Sequence, residues 1–237
     1  MQMQVRQLGL MKYSDALLLM EELHATIADQ PTAEETLLVV EHPPVVTMGQ
    51  RERSDDLVTP EIFLQQRGVD FHRIDRGGSV TVHEPGQLVL YPLLRVDARS
   101  VTVRRLVWAL EEIMIRECAR WGLSANRDEI NPGVWIGKNK VGALGVRVSN
   151  HVSKHGLALN VFNSLETFSH IIPCGIHGRG VTSLLKSSDE AHQENLPHIG
   201  ERMAADLIQL LSNFRAQVVG VEAGAAEPCI HKADSRP

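Results

Sequence analysis

The spacing of apolar residues separates stretches of the chain that predict helices from stretches that predict strands. Apolar residues recur every three or four positions over residues 13–29, 100–121 and 201–214, as on one face of a helix. Short helices are expected after Pro60 and over residues 165–172. Apolar and β-branched runs bounded by Gly, Pro or Asn predict strands over residues 4–10, 36–41, 45–48, 69–75, 79–83, 87–91, 133–136, 140–148 and 152–161.

This order of elements shows no internal repeat and predicts one α/β (α+β) domain over residues 1–219, with mixed or antiparallel strands. Residues 50–59 are polar and predict a mobile surface loop, and Asn139 is expected at the apex of a hairpin. Residues 220–237 are small, polar and aperiodic, so we expect a disordered tail there.

The composition is that of a globular protein, because 43% of the 237 residues are hydrophobic and 22% are charged. Aromatic residues make up only 4%, which argues against a nucleic-acid surface that stacks bases. The apolar runs are far shorter than the roughly 20 residues that span a bilayer, so no membrane partner is expected. The first ten residues lack a signal core, which predicts a cytoplasmic protein. With a net charge of -5, an acidic partner would need a local patch of arginines.

Three cysteines form no disulfide framework, and their odd number fits a reducing compartment. Cys118 falls on the apolar stripe of the helix predicted over residues 100–121 and is expected in the core. Cys229 lies in the predicted tail, where we expect no role. Cys174 lies in a Pro-Cys-Gly sequence, where a thiol can point from a tight corner into a cleft. An ordinary thiol has a pKa of about 8.5, so near neutral pH it needs a nearby base or cation to become a good nucleophile. Lys140 is our candidate for that group. The alternative is that Lys140 is a lysine at the start of a strand that faces water.

Several candidate functional residues lie in residues 76–92, RGGSVTVHEPGQLVLYP. Two residues without Cβ follow Arg76, and such a turn exposes main-chain N–H groups to a ligand, although most Gly-Gly pairs are plain hairpin turns. The rest of the stretch predicts two strands around a reversal, with His83 and Gln87 at its mouth.

Taken whole, this stretch resembles the signature RGG-x-(V/I)-T-x-H-x-PGQL-V-x-YP of the bacterial lipoyl(octanoyl) transferases. Two later stretches match that family as well, KVGALGVRVSNHVSKHGLALNV from Lys140 and IIPCGIHGRGVTSL from Ile171. One departure is Glu84, which stands where the family usually has glycine and would be strained if the position needs a positive φ. The resemblance implies the fold shared by biotin and lipoate ligases, a large mixed and mostly antiparallel sheet with a smaller sheet and flanking helices.

The resemblance also implies an acyltransferase that moves an octanoyl group from octanoyl acyl carrier protein to a lysine ε-amino group on an apo lipoyl domain. The acceptors would be lipoyl domains of 2-oxoacid dehydrogenase complexes and the H protein of glycine cleavage. The catalytic pair of the family falls on Cys174, which would form an acyl thioester, and on Lys140, which would act as general acid and base. No cofactor, metal or nucleic acid is implied, and the protein is expected to act as a monomer.

The same resemblance implies an acyl pocket, with groups that stabilise an oxyanion, around the three motifs. Beyond the catalytic pair, the predicted site consists of Arg76, Gly77, Gly78, Ser79, Val80, His83, Ala143, Leu144, Gly145, His155, Gly156, Leu157 and Ala158. His83 and His155 could equally be structural histidines, and the sequence alone leaves both interpretations open.

Three other functions fit parts of the sequence. An ATP-dependent lipoate ligase would share the fold and Lys140 but would not need Cys174. A zinc-binding or regulatory module could use His170, Cys174 and His177, although a structural zinc site usually has four ligands. An inactive relative that only binds acyl carrier protein is a further alternative, and the presence of both Lys140 and Cys174 argues against it.

Overall fold

The structure, a computed structural model, describes residues 3–51, 56–129, 131–172, 179–189 and 193–224. These residues form two β-sheets and five α-helices, joined by loops. The helices are α1 (Tyr13–Asp29), α2 (Glu61–Gln66), α3 (Val103–Arg120), α4 (Leu184–Ser187) and α5 (Leu196–Gly224). The strands are β1 (Met3–Leu10), β2 (Glu35–Glu41), β3 (Val45–Met48), β4 (Asp70–Arg73), β5 (Val80–His83), β6 (Gln87–Leu93), β7 (Asn126–Arg127), β8 (Val134–Ile136), β9 (Asn139–Ser149), β10 (Val152–Asn160) and β11 (Gly180–Val181). A 3₁₀ helix covers Thr167–His170.

The large sheet is mixed and has the strand order β1-β2-β6-β10-β9-β8-β7, with β11 beside β9. β1 runs parallel to β2 and β11 runs parallel to β9, whereas the other neighbours are antiparallel. The small sheet has the order β4-β3-β5. The predicted fold class, a large mixed sheet with a smaller sheet and helices, is confirmed.

Helices cover both faces of the large sheet. α3 and α5 pack on one face, where Leu110 and Met114 belong to the main core, and α1 packs on the other face through Met20. Cys118 lies in the main core, as predicted, and burial together with the charge of Glu117 raises the pKa of its thiol to about 12. Among the described residues, no helix is long and apolar enough to cross a bilayer.

The ends of α1 and the start of α3 can be compared with the bounds predicted from the sequence. α1 starts and stops at Tyr13 and Asp29, the bounds that its periodicity predicted. α3 starts later than predicted, because Thr102 Oγ1 accepts a hydrogen bond from the Arg105 N–H at 3.1 Å and caps the helix there.

α5 extends beyond the predicted residues 201–214 at both ends and continues to Gly224. The first residues of the predicted tail are therefore helical. Residues 225–237, including Cys229, lie outside the described residues, and disorder there stays a prediction.

The two strands predicted on either side of residues 84–86 are present, but they do not pair with each other. β5 pairs with β3 in the small sheet, and β6 pairs with β2 and β10 in the large sheet. Glu84 escapes the strain expected at its position, because the positive φ of this turn, +89°, belongs to Gly86. β6 continues past Pro92, whose carbonyl still accepts a hydrogen bond from Ser153 Oγ at 2.6 Å.

One loop prediction was wrong, and a second holds only in part. Asn139 is the first residue of β9 instead of a hairpin apex, because the turn falls earlier and contains Gly137 with φ +57°. Residues 56–59 of the predicted mobile loop lie partly at the surface, since Val58 is exposed, but Asp56 is buried and the segment is hydrogen-bonded to the chain around the 3₁₀ helix. Residues 52–55 of that predicted loop lie outside the described residues.

The backbone contact at Gly156 gives a test of the sheet packing. A Cβ on Gly156 would lie 2.1 Å from the Leu90 carbonyl oxygen of the neighbouring strand, which cannot move without breaking the sheet. Gly156→Ala should therefore lower the free energy of unfolding by about 1–3 kcal/mol in urea denaturation. Gly142→Ala is the control, because its Cβ would meet the movable Met114 Sδ at 2.4 Å, and it should cost less than about 1.5 kcal/mol. Equal losses would contradict this packing.

Candidate active site

A cavity of about 780 Å³ is lined by the turn at residues 76–78, by β5 and by β9 and β10. Its volume falls within the range of about 300–1,000 Å³ that is usual for small-molecule sites. The described residues of the predicted site all line it: Lys140, Arg76, Gly77, Gly78, Ser79, Val80, His83, Ala143, Leu144, Gly145, His155, Gly156, Leu157 and Ala158. Cys174 lies outside the described residues.

Arg76 is almost fully buried, and its guanidinium bonds to protein backbone. Nη2 donates to the Thr47 carbonyl at 2.7 Å and to Thr47 Oγ1 at 3.0 Å, while Nη1 donates to the Gly77 carbonyl at 3.0 Å. The side chain therefore fixes its own turn to β3 of the small sheet. Its positive charge also lies at the cavity wall.

The turn at residues 76–78 lies directly against β9. The Gly77 N–H donates to the Val146 carbonyl at 3.4 Å, and a Cβ on Gly145 would lie 2.7 Å from the Gly77 carbonyl oxygen. Position 145 therefore has to be glycine, because another part of the backbone approaches it closely.

Lys140 is a buried side chain, only 6% exposed, near the start of β9. Its backbone pairs with Trp135 on one side and with Val181 on the other, and its Nζ lies 5.1 Å from the centre of the Trp135 ring. The backbone at Gly133 is so close that a Cβ there would lie 2.7 Å from Lys140 Cε. The alternative of a lysine facing water at a strand end is therefore wrong, and the side chain is held beside the cavity.

Described residues on both sides of positions 173–178 are hydrogen-bonded to residues that line this cavity. The Ile172 N–H donates to the Asp56 carbonyl at 2.8 Å, and Asp56 lines the cavity. On the other side, the Thr182 N–H donates to the Lys140 carbonyl at 2.9 Å, and β11 pairs with the start of β9. The described segments before and after these positions therefore both contact residues of the same cavity.

A series of buried hydrogen bonds connects His83 with Lys140. His83 Nδ1 bonds to Gln87 Oε1 at 2.7 Å, and Gln87 Nε2 donates to Asn160 Oδ1 at 2.8 Å. Asn160 Nδ2 donates to the Thr182 carbonyl at 2.9 Å, and the N–H of Thr182 donates to the Lys140 carbonyl. All five residues are buried, so the series ties the cavity wall at His83 to the strand that carries the lysine.

Asn160 and Thr182 are residues of this site that the sequence prediction missed. The available signal was a polar residue at the end of an otherwise apolar run, LALNV, because a buried amide has to find hydrogen-bond partners. The same run also fits a strand whose last residue reaches solvent. The sequence does not separate these two cases.

Tyrosine and histidine rings cluster at one wall of the cavity. The cluster consists of Tyr13, His42, His72, His83, Tyr91 and His155. Burial and, to a smaller extent, His42 lower the pKa of His83 to about 3, and burial lowers the pKa of His42 to about 4. Burial also raises the pKa of Tyr91 well above its usual value. These three groups are neutral near pH 7. Two of them, His83 and Tyr91, line the cavity, so this part of its wall suits an uncharged ligand.

His155 is anchored by the residue that precedes the turn. Its Nε2 donates to Asp75 Oδ1 at 2.9 Å, and Lys154 Nζ lies 3.0 Å from Asp75 Oδ2. Burial tends to raise the pKa of Asp75, but the bonds from His155 and Lys154 outweigh it and hold the pKa below its usual value. His155 Nδ1 is buried without a hydrogen-bond partner among the described residues.

The zinc-site alternative receives no support from the residues that the structure describes. Within them, no three His, Cys, Asp or Glu side chains are grouped as metal ligands. His170 Nδ1 bonds instead to Thr59 Oγ1 at 3.0 Å. The other two predicted ligands, Cys174 and His177, lie outside the described residues.

Solved structures define the class of protein to which this fold belongs. A putative lipoate protein ligase from T. acidophilum with bound lipoic acid matches with a TM-score of 0.67 at 14% identity, covering 93% of this chain and 95% of that chain. The biotin protein ligase of Leishmania major in complex with biotinyl-5-AMP matches with a TM-score of 0.52 at 10% identity, covering 100% and 85%. At such low identities the likeness shows the fold alone, which is that of the catalytic domains of lipoate and biotin ligases.

Sequence comparison then gives the family. Residues 12–204 match the model of the lipoyl protein ligase A/B catalytic domain. The octanoyltransferase of Alkaliphilus metalliredigens is 40% identical over 185 residues, which cover 78% of this chain and 84% of that protein. The octanoyltransferase of Caldicellulosiruptor saccharolyticus is 42% identical over 189 residues, which cover 78% and 80%. The chain belongs to the lipoyl protein ligase A/B catalytic domain family and, within it, to the octanoyltransferases.

The low pKa values of His42 and His83 predict that the fold loses stability in acid. The unfolded chain protonates these histidines below a pH of about 6.5, whereas the folded chain resists protonation until about pH 4 and 3, so the unfolded state binds more protons in between. Each should cost about 2 kcal/mol of unfolding free energy between pH 7 and pH 5, measured by urea denaturation.

A pair of variants separates this effect from general acid sensitivity. His42→Asn should flatten the dependence of stability on pH by about 1 kcal/mol per pH unit between pH 5 and pH 6. His198→Gln, on the exposed surface of α5, should keep the wild-type slope. An unchanged slope in His42→Asn would mean that His42 is not held neutral in the folded protein.

Proposed function

We propose that this protein transfers an octanoyl group from octanoyl acyl carrier protein to the ε-amino group of a lysine on a lipoyl domain, through an acyl thioester on Cys174. The observation that carries the proposal is the buried Lys140 at the wall of a cavity of about 780 Å³. The octanoyltransferase names of relatives about 40% identical to this chain support the same activity. The Pro-Cys-Gly sequence supports Cys174 as the nucleophile.

In the first step, Cys174 Sγ attacks the carbonyl carbon of the donor thioester. The thiol proton passes to Lys140 and then to the sulfur that leaves with the carrier protein, so one thioester replaces another. A main-chain N–H would stabilise the oxyanion by about 3 kcal/mol. Because the Gly77 N–H already donates to Val146, we favour the Gly78 N–H for this role.

In the second step, the lysine amine of the lipoyl domain attacks the acyl thioester on Cys174. Lys140 accepts a proton from the amine and returns it to the cysteine sulfur as the C–S bond breaks. The product is an amide, which is more stable than a thioester, so this step needs no ATP. The neutral rings of His83 and Tyr91 at the cavity wall suit the uncharged acyl chain that the cavity would hold.

The acceptors, the oligomeric state and the location of the enzyme are also part of what we propose. The acceptors are lipoyl domains of 2-oxoacid dehydrogenase complexes and the H protein of glycine cleavage, and the enzyme works as a monomer in the cytoplasm. Native mass spectrometry of the purified protein would test the monomer, and assays with each acceptor would rank them.

The role of Cys174 is tested by a reaction without ATP. With octanoyl acyl carrier protein and an apo lipoyl domain, the protein should produce octanoylated lipoyl domain, and intact-protein mass spectrometry should detect an octanoyl adduct on Cys174. Cys174→Ala should abolish both, because no nucleophile remains to carry the acyl group. Cys118→Ala, a change in the core, is the control and should keep both. Product that forms only from octanoate and ATP would identify a ligase.

The role of Lys140 is tested by removing its amine while keeping its length. Lys140→Met should lower kcat/KM for octanoyl transfer by about 10²- to 10⁴-fold, since general acid–base catalysis is worth about that much. Lys138→Met changes an exposed lysine two positions away and should transfer at the wild-type rate. If both variants transfer equally well, Lys140 does not move the proton.

A further inference from the structure

Glu84 is a buried carboxylate that the steps above do not use. It lies in the reversal between β5 and β6 and is 3% exposed. Its Oε1 accepts hydrogen bonds from Asn163 Nδ2 at 2.9 Å and from the Leu165 N–H at 2.6 Å, and its Oε2 accepts one from the Thr167 N–H at 3.1 Å. Three donors from one short segment therefore converge on one side chain.

The segment that these donors belong to, residues 163–172, is here called the clamped segment. Its first four residues belong to no helix or strand, and the 3₁₀ helix follows. Leu165 has φ +69°, a left-handed conformation that disfavours a residue with a side chain. Such a backbone persists only where the surrounding contacts fix it, and Glu84 supplies three of them.

The clamped segment also belongs to the surroundings of the active site. Phe168 lines a small cavity of about 20 Å³ beside Lys140. At the far end of the segment, the Ile172 N–H donates to the carbonyl of Asp56, a residue that lines the large cavity. The segment is therefore held near one end by Glu84 and at the other by Asp56.

We propose that Glu84 is a positioning residue for the acyl transfer: by accepting three hydrogen bonds, it fixes the clamped segment, from which the chain continues to Cys174. The catalytic half of this inference rests on the proposed function. A carboxylate is needed because all three partners are donors. An amide could replace Oε1, but its NH₂ group would then face the N–H of Thr167.

Glu84→Ala tests the proposal with two measurements. Hydrogen exchange followed by mass spectrometry should show faster exchange in peptides from the clamped segment, because three of its bonds are lost. Single-turnover octanoylation of Cys174 at saturating donor should slow by about 10- to 100-fold with little change in KM, since misplaced groups lower the rate more than binding. Glu84→Gln keeps the two bonds of Oε1 and should fall between Glu84→Ala and wild type in both measurements.

Glu117→Gln is the matched control, because Glu117 is an equally buried glutamate that accepts hydrogen bonds from Trp121 and Arg202 on the α3–α5 side of the sheet. It should lower stability yet leave the clamped segment protected and Cys174 octanoylated at the wild-type rate. Unchanged exchange in Glu84→Ala, or a wild-type rate despite faster exchange, would overturn the proposal. Absence of octanoylation in the wild type would overturn the proposed function and, with it, the role of Glu84 in acyl transfer. The exchange data would still decide whether Glu84 fixes the clamped segment.

Discussion

The cavity of the candidate active site depends on direct backbone contact between the turn at residues 76–78 and β9. A side chain at Gly145 would push the two apart, because its Cβ would lie 2.7 Å from the Gly77 carbonyl oxygen. Arg76 holds the same turn from the other side through its bonds to Thr47 of β3. The small sheet is thereby fixed against the large one, and the space left beside this contact is the cavity. Part of its wall is main chain, which can offer N–H groups to a developing negative charge without any side-chain rearrangement.

The elements of this fold could be predicted from sequence because they are decided locally, whereas strand pairing could not. β5 and β6 are separated by only three residues, and a hairpin is the usual outcome for strands so close together. Here every residue of β6 is buried, so this strand belongs in the middle of the large sheet, between β2 and β10. Its continuous apolar sequence fits a central strand, but no local feature identifies which distant strands will flank it.

The residues that line the cavity could be predicted from the sequence motifs, but the role of each of them could not. Arg76 and His155 were predicted as pocket residues, and both line the cavity, yet each also bonds to the protein through Thr47 and Asp75. The series from His83 through Gln87 to Asn160 was missed for a related reason. A buried polar side chain must be hydrogen-bonded whether it serves the fold or a ligand, so residue type and spacing do not separate the two roles.

The likeness to lipoate ligases at 14% identity concerns the scaffold, and the chemistry depends on what is added to it. Lys140 is placed by the scaffold itself, because β8 and β11 pair on either side of it and the Trp135 ring lies over its Nζ. A ligase that activates its acid with ATP needs no thiol. The transfer proposed here would need a second reactive group beside that lysine. Residues 163–172, which include a left-handed leucine, precede the proposed nucleophile in the chain. The hydrogen bonds that Glu84 accepts fix a backbone path in this segment that sheet pairing does not fix.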